Sequence, residues 1–208
     1  MQNQKLGILA LGANATNFYL KKLAKDLSFE LLKTNFEQIN NLLPKPSKQL
    51  ENIMKNYIEQ LLSLEVNKIL IPNITLHETI DNIKIDKNTN IIHPIALSIK
   101  AIKANNFKQV VLLGSLYTMH SNYIKDIFGA NNIKLLLPKA RDMQLIDTIR
   151  KQVYENKTSI VELNNFNNLV EEYAKNNAVV IACTELSIAL NYHNKNVFDM
   201  ALLQIQNI

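Results

Sequence analysis

The chain has 208 residues, enough for one large domain or two small ones, and its 47% hydrophobic and 20% charged residues are ordinary for a globular protein. The net charge of +5 rests almost wholly on scattered lysines, since Arg141 and Arg150 are the only arginines. The arginine clusters and interleaved aromatics of a nucleic-acid surface are missing, and no apolar run is long enough for a membrane span. One cysteine, Cys183, cannot form an internal disulfide, and no basic segment followed by an apolar one opens the chain. Together these point to a cytoplasmic protein with no membrane or nucleic-acid partner.

In chain order, apolar residues 5–11 read as a strand. Residues 12–16 read as a small-residue loop, and 17–27 as a helix. Residues 29–33 form a second strand. Thr34-Asn-Phe-Glu37 fits a capping box opening a short helix through Leu43. Residues 47–65 carry apolar positions at helical spacing, from Leu50 to Leu62. A strand over 68–72 runs into Asn73-Ile-Thr75, and a helix starts at Leu76. After an extended piece at 90–94, a helix covers 95–104, a strand 109–113, a helix 119–128 and a strand 134–138. Helices over 141–156 and 164–176 lead to Ala178-Val-Val-Ile-Ala-Cys183-Thr184-Glu185, a buried strand that turns polar and becomes helical again. A polar loop at 191–196 precedes a closing helix over 197–205.

Strands alternating with helices predict a parallel α/β fold. The chain also matches itself. Residues 5–12 resemble 108–115 at an offset of 103, and 68–75 resemble 178–184 at an offset of about 110. Two similar α/β subdomains follow, related by pseudo-two-fold duplication: residues 1–96, closed by a C-terminal helix over 197–208, and residues 97–196. In such a duplication Asn73 and Cys183 occupy equivalent strand ends. Ligands bind at the carboxyl ends of strands in open α/β sheets, and a thiol facing a helix N-terminus is expected to favour thiolate. Gly7 and Gly12 do not make a dinucleotide fingerprint. His77 reads as a cap or structural hydrogen-bond partner, and His93, His120 and His193 have no metal-ligand spacing with Cys183.

Five stretches taken together resemble the aspartate/glutamate racemases, the cofactor-independent amino-acid racemases. They are Gly7-Ile-Leu with Ala15-Thr16, Leu32-Lys-Thr-Asn-Phe-Glu37, Ile71-Pro-Asn-Ile-Thr75-Leu-His77, Leu112-Leu-Gly114-Ser-Leu-Tyr-Thr118-Met119 and Ala182-Cys-Thr-Glu-Leu186. The resemblance spans nearly the whole chain. It implies two α/β domains with the active site in the cleft between them, a small acidic amino-acid substrate, no cofactor or metal, and a homodimer. It also implies two thiols on opposite faces of the substrate, one removing the α-proton and one returning a proton. Cys183 matches the second of these thiols. Thr184 and Glu185 would bind or orient around it, Thr75 would hold the substrate carboxylate, and Ser115 and Thr118 would line the pocket.

The departures are specific. Asn73 stands where the first catalytic cysteine is expected, and Ile74 where an asparagine is usual. An amide is no proton acid or base near neutral pH. Gln204 takes the place of a histidine five residues after Asp199, and the stretch that carries a substrate-binding arginine in some members is shortened to residues 44–48. The resemblance therefore implies an enantiomer-biased racemase relying on Cys183. The alternatives are a single-cysteine decarboxylase-type lyase and a catalytically degenerate binding protein of the same fold.

Overall fold

The computed structural model describes residues 5–86, 89–191 and 193–208. The chain divides into two compact units, Met1–His93 with Gln204–Ile208, and Pro94–Leu203. Each unit holds a four-stranded parallel sheet with interleaved helices.

In the first unit the elements are β1 (Leu6–Ala10), α1 (Ala13–Lys22), β2 (Phe29–Lys33), α2 (Phe36–Asn40), α3 (Lys48–Leu62), β3 (Lys68–Leu70), α4 (Leu76–Asp81) and β4 (Asn90–Ile91). The sheet order is β2-β1-β3-β4. β1 is central and almost wholly buried, so an unbroken apolar run suits it, whereas β2 at the edge alternates exposed and half-buried residues. Helix α3 lays Leu50, Met54, Ile58 and Leu61 into the core, and Ser47 starts it by accepting the Leu50 amide at 3.2 Å.

The second unit contains α5 (Pro94–Ala104), β5 (Gln109–Leu113), α6 (Leu116–Met119), α7 (Asn122–Ala130), β6 (Lys134–Leu136), α8 (Ala140–Tyr154), α9 (Ile160–Asn176), β7 (Ala178–Ile181), α10 (Thr184–Ala189), β8 (Val197–Asp199) and most of α11 (Met200–Ile205). Its sheet order, β6-β5-β7-β8, repeats that of the first unit. Val111, Leu113, Ile149, Phe166, Val179 and Ile181 make its core. Two similar parallel α/β subdomains are thus present. Their registers differ by one residue from the repeat read in the sequence. Leu6 faces Lys68 in the first sheet, but Val110, not Gln109, faces Ala178 in the second.

Several local expectations are corrected. The first helix starts at Ala13, straight after Gly12. The capping box at Thr34 does not form. Thr34 Oγ1 instead donates to the Ala10 carbonyl at 2.7 Å, and Asn35 caps α2 by accepting the Gln38 amide at 3.2 Å. A true capping box sits at Ser159 and Glu162, and its helix starts at Ile160, four residues before the expected 164. Helix 119–128 is two helices broken at Ser121, whose hydroxyl accepts the Ile124 amide. Residues 197–199 are not helical: they pair with β7, which carries 197–203 into the second unit. The part of the closing segment that belongs to the first unit begins at Gln204. Its fully buried amide accepts from Tyr19 Oη at 2.6 Å and donates to the Ile92 carbonyl at 2.7 Å. Among the described residues no helix is long and apolar enough to cross a membrane.

Candidate functional site

In each sheet the strand order reverses between the two central strands, β1/β3 and β5/β7. The crevice at such a reversal, beyond the carboxyl ends of the strands, is where open α/β sheets bind ligands.

In the second unit this place holds the turn after β5 and the turn after β7. The two strands pair up to Leu113 and Ile181, and the Ala182 amide donates to the Leu113 carbonyl at 2.7 Å, so the turns begin side by side. Gly114 makes this possible. A Cβ there would lie 2.9 Å from Thr118 Cγ2 and 3.4 Å from the Ala182 carbonyl oxygen, so a side chain would push Thr118 off the sheet end. Ser115 caps α6 by accepting the Thr118 amide at 3.1 Å, and the Ser115 and Thr118 hydroxyls are 2.8 Å apart. Thr118 is buried and Ser115 half-buried.

Cys183 is the N-cap residue of α10, with extended backbone and no capping bond from its side chain. As a residue Cys183 is half-buried, and it packs against the core of the unit. The thiol donates to Glu185 Oε2 at 2.9 Å. Burial pushes this thiol well up, and the Glu185 charge and the hydrogen bond push it further. The Arg150 charge and the Glu185 amide act the other way without prevailing. The expected thiolate is therefore corrected to a neutral thiol. The six-residue helix α10 supplies too little positive potential to outweigh burial beside a carboxylate. Thr184 is buried and Glu185 half-exposed.

Arg150 and Asp147 escaped sequence reasoning. Asp147, buried on α8, accepts the Leu116 amide at 3.3 Å, Arg150 Nε at 3.0 Å and Lys151 Nζ at 2.8 Å. Burial alone would raise its carboxyl, but the bonds from Lys151 and Arg150 outweigh that and hold it below the usual range. Asp147 thereby ties the α6 turn to the arginine that acts on Cys183. The spacing of Asp147, Arg150 and Lys151, three and four residues apart, was the available signal.

The first unit places Asn73, Ile74 and Thr75 in the turn between β3 and α4. Asn73 Oδ1 accepts the Leu76 amide at 3.2 Å, so this side chain starts the helix. Ile74 is buried, while Asn73 and Thr75 keep partial exposure. Thr75, in the N-cap position, makes no capping bond with its side chain. At the neighbouring end of β1, Gly12 has φ +74°, a conformation that favours glycine, and α1 starts from it. His77 is fully buried, with Nε2 3.4 Å from the Ile71 carbonyl and its ring edge-on to His93 at 4.7 Å. Burial, then the neighbouring His93, lowers its pKa to about 3. It is neutral, its Nε2–H holding the carbonyl at the end of β3.

No family profile matches the chain, and no curated protein matches it in sequence. Solved structures do match over nearly the full length. One is a candidate Asp/Glu racemase from Yersinia pestis, 17% identical with a TM-score of 0.81, covering 98% of this chain and 96% of that one. Another is an aspartate racemase homologue from Pyrococcus horikoshii OT3, 19% identical with a TM-score of 0.79 and the same coverage. A third is the Picrophilus torridus aspartate racemase, 22% identical with a TM-score of 0.76, covering 98% and 94%. The fold is that of the Asp/Glu racemases. Within this racemase fold the two matching strand ends carry different chemistry, an amide at Asn73 and a thiol at Cys183.

Proposed function

We propose that the chain is a cofactor-independent amino-acid racemase acting on aspartate or glutamate, with a bias between enantiomers. The observation that carries the reading is Cys183, set with Thr184 and Glu185 at the switch point of the second sheet in a racemase fold. In this proposal Cys183 exchanges the α-proton on one face of the substrate. Asn73 has no titrating proton, so a water held by Asn73 or Thr75 serves the other face. Hydroxyls of Thr75, Ser115 and Thr118, with the Thr184 turn, hold the carboxylate on which negative charge develops, and buried Ile74 backs the Asn73 turn. The reading includes a homodimer, checked by light scattering, in the cytoplasm.

A second reading, a decarboxylase-type lyase, is favoured by the neutral thiol. A single protonated Cys183 suffices to quench a carbanion formed by loss of carbon dioxide.

Exchange of the α-proton in deuterated buffer, followed by NMR with L- and D-aspartate and L- and D-glutamate, tests both. The racemase reading expects unequal exchange of one enantiomeric pair and a loss of at least about 100-fold in Cys183→Ala. Silence with all four sinks it. Turnover of a malonate-like acid would then support the lyase, and a ligand-induced thermal shift without turnover a binding protein.

A further inference from the structure

In the second unit a groove of about 300 Å³ runs along β8, the edge strand of the sheet. Its apolar wall has three sources. Val197 comes from β8, Leu190 from the end of α10 and Leu202 from α11, and all three are half-buried. Asp199 lies two residues after Val197, so the two side chains share one face of the strand. None of Ser115, Thr118, Cys183 or Glu185 is among the described residues that line the groove.

The segment that closes one end is set by the fold. Asn167 of α9 donates to the Ala189 carbonyl at 2.9 Å and accepts the Asn191 amide at 2.9 Å, which fixes where the chain leaves α10. Asn194 makes the turn into β8, its Oδ1 accepting the Asn196 amide at 2.8 Å and its carbonyl the Val197 amide at 2.9 Å. Asn196 in turn donates from Nδ2 to the Ala174 carbonyl at 2.9 Å. On this pinned turn His193 and Lys195 flank Asn194 and face the groove, both exposed. Neither has a hydrogen-bond or ion-pair partner among the described residues. Asp199 at the buried end is engaged differently. Its Oδ1 accepts Ser187 Oγ at 2.9 Å and the Ala201 and Leu202 amides at 2.9 and 3.1 Å, so its charge is taken up by the protein. An apolar trough with an unengaged ammonium and an imidazole at its open end suits a small acid with an aliphatic body.

We propose that this groove is a ligand site separate from the Cys183 turn, binding a small aliphatic carboxylate with its head on Lys195 and His193 and its body on Leu190, Val197 and Leu202. The groove is joined to the cysteine by two contacts. Ser187 Oγ donates to Asp199 Oδ1 and lies 3.2 Å from the Cys183 carbonyl, so an anion placed near Asp199 is felt at the turn that carries the thiol. The binding is independent of the racemase reading.

The test is a calorimetric titration of the whole chain with isovalerate at low salt, with isoamylamine as the probe of like body and opposite charge. One site with a Kd on the order of 1 mM is expected for isovalerate, and no binding of the amine. Lys195→Glu, a change at an exposed position, should weaken isovalerate about tenfold or more, while Cys183→Ala leaves the affinity as it was. Absence of isovalerate binding overturns the proposal, as does equal affinity in Lys195→Glu. Loss of binding in Cys183→Ala overturns it too, because the acid would then occupy the candidate site. Alkylation of Cys183 by iodoacetamide reads the connection: its rate should change about twofold or more at saturating isovalerate, in wild type and not in Lys195→Glu at the same concentration. An unchanged rate with the acid bound overturns the connection. Exchange of the amino-acid α-proton decides the racemase reading without reference to this groove.

Discussion

Replacing His77 with glutamine isolates a stability term that depends on pH. The His77 ring is fully buried, and its pKa is lowered from 6.5 to about 3, first by burial and then by the charge of His93. The folded protein therefore binds this proton more weakly than the unfolded chain does. The contribution of the neutral ring is complete above pH 6.5 and drains away as pH falls toward 3. Integrating that difference between pH 8 and pH 5 gives a loss of about 2 kcal/mol. Urea unfolding at the two pH values measures it in wild type and in His77→Gln, which keeps polarity but cannot titrate. The wild type should lose about 2 kcal/mol more than the variant over this interval, whatever the variant's absolute stability. Parallel pH dependence in the two proteins would refute the reasoning, by showing that His77 is either hydrated or protonated at no cost.

Two further substitutions probe the frame around the site. Gly114→Ala forces a Cβ to within 2.9 Å of Thr118 Cγ2. It should destabilise by about 1–3 kcal/mol in urea melts, and adding Thr118→Ser, which removes that methyl, should restore part of the loss. Tyr19→Phe leaves the buried Gln204 Oε1 without its 2.6 Å donor. A cost of about 1–3 kcal/mol is expected in the same assay, and no change would mean that water reaches the amide.

The sequence made the alternation of strand and helix legible because parallel strands covered on both faces are continuous apolar runs. Residues 109–113 are such a strand, with the expected bounds. What it hid was whatever two competing local partners decide. Thr34 fits the capping pattern, but its hydroxyl turns to donate to the Ala10 carbonyl on the adjacent strand, and Asn35 takes the cap position. Residues 197–199 are apolar enough for either state, and pairing with β7 makes them a strand. The repeat register slipped by one for a related reason. A strand buried on both faces has no polar side to mark its phase. At the candidate site, the turns carrying Asn73 and Cys183 could be read directly. The charge state of Cys183 could not, because it depends on burial and on the reach of Glu185 and Arg150, which are contacts of the folded chain.

The two amide bonds of Gln204 bear on the order in which the protein is made. Tyr19 and Ile92 leave the ribosome long before Gln204, which follows every residue of the second unit. Domains tend to fold as they emerge, the earliest first. Here the earliest-made unit must wait for the buried amide that bonds Tyr19 and the Ile92 carbonyl, while the later one can close its sheet with β8 at residues 197–199. A chain stalled or clipped just before Gln204 would carry one finished half and one unfinished half. Quality control by proteases would then act on the half that was synthesised first.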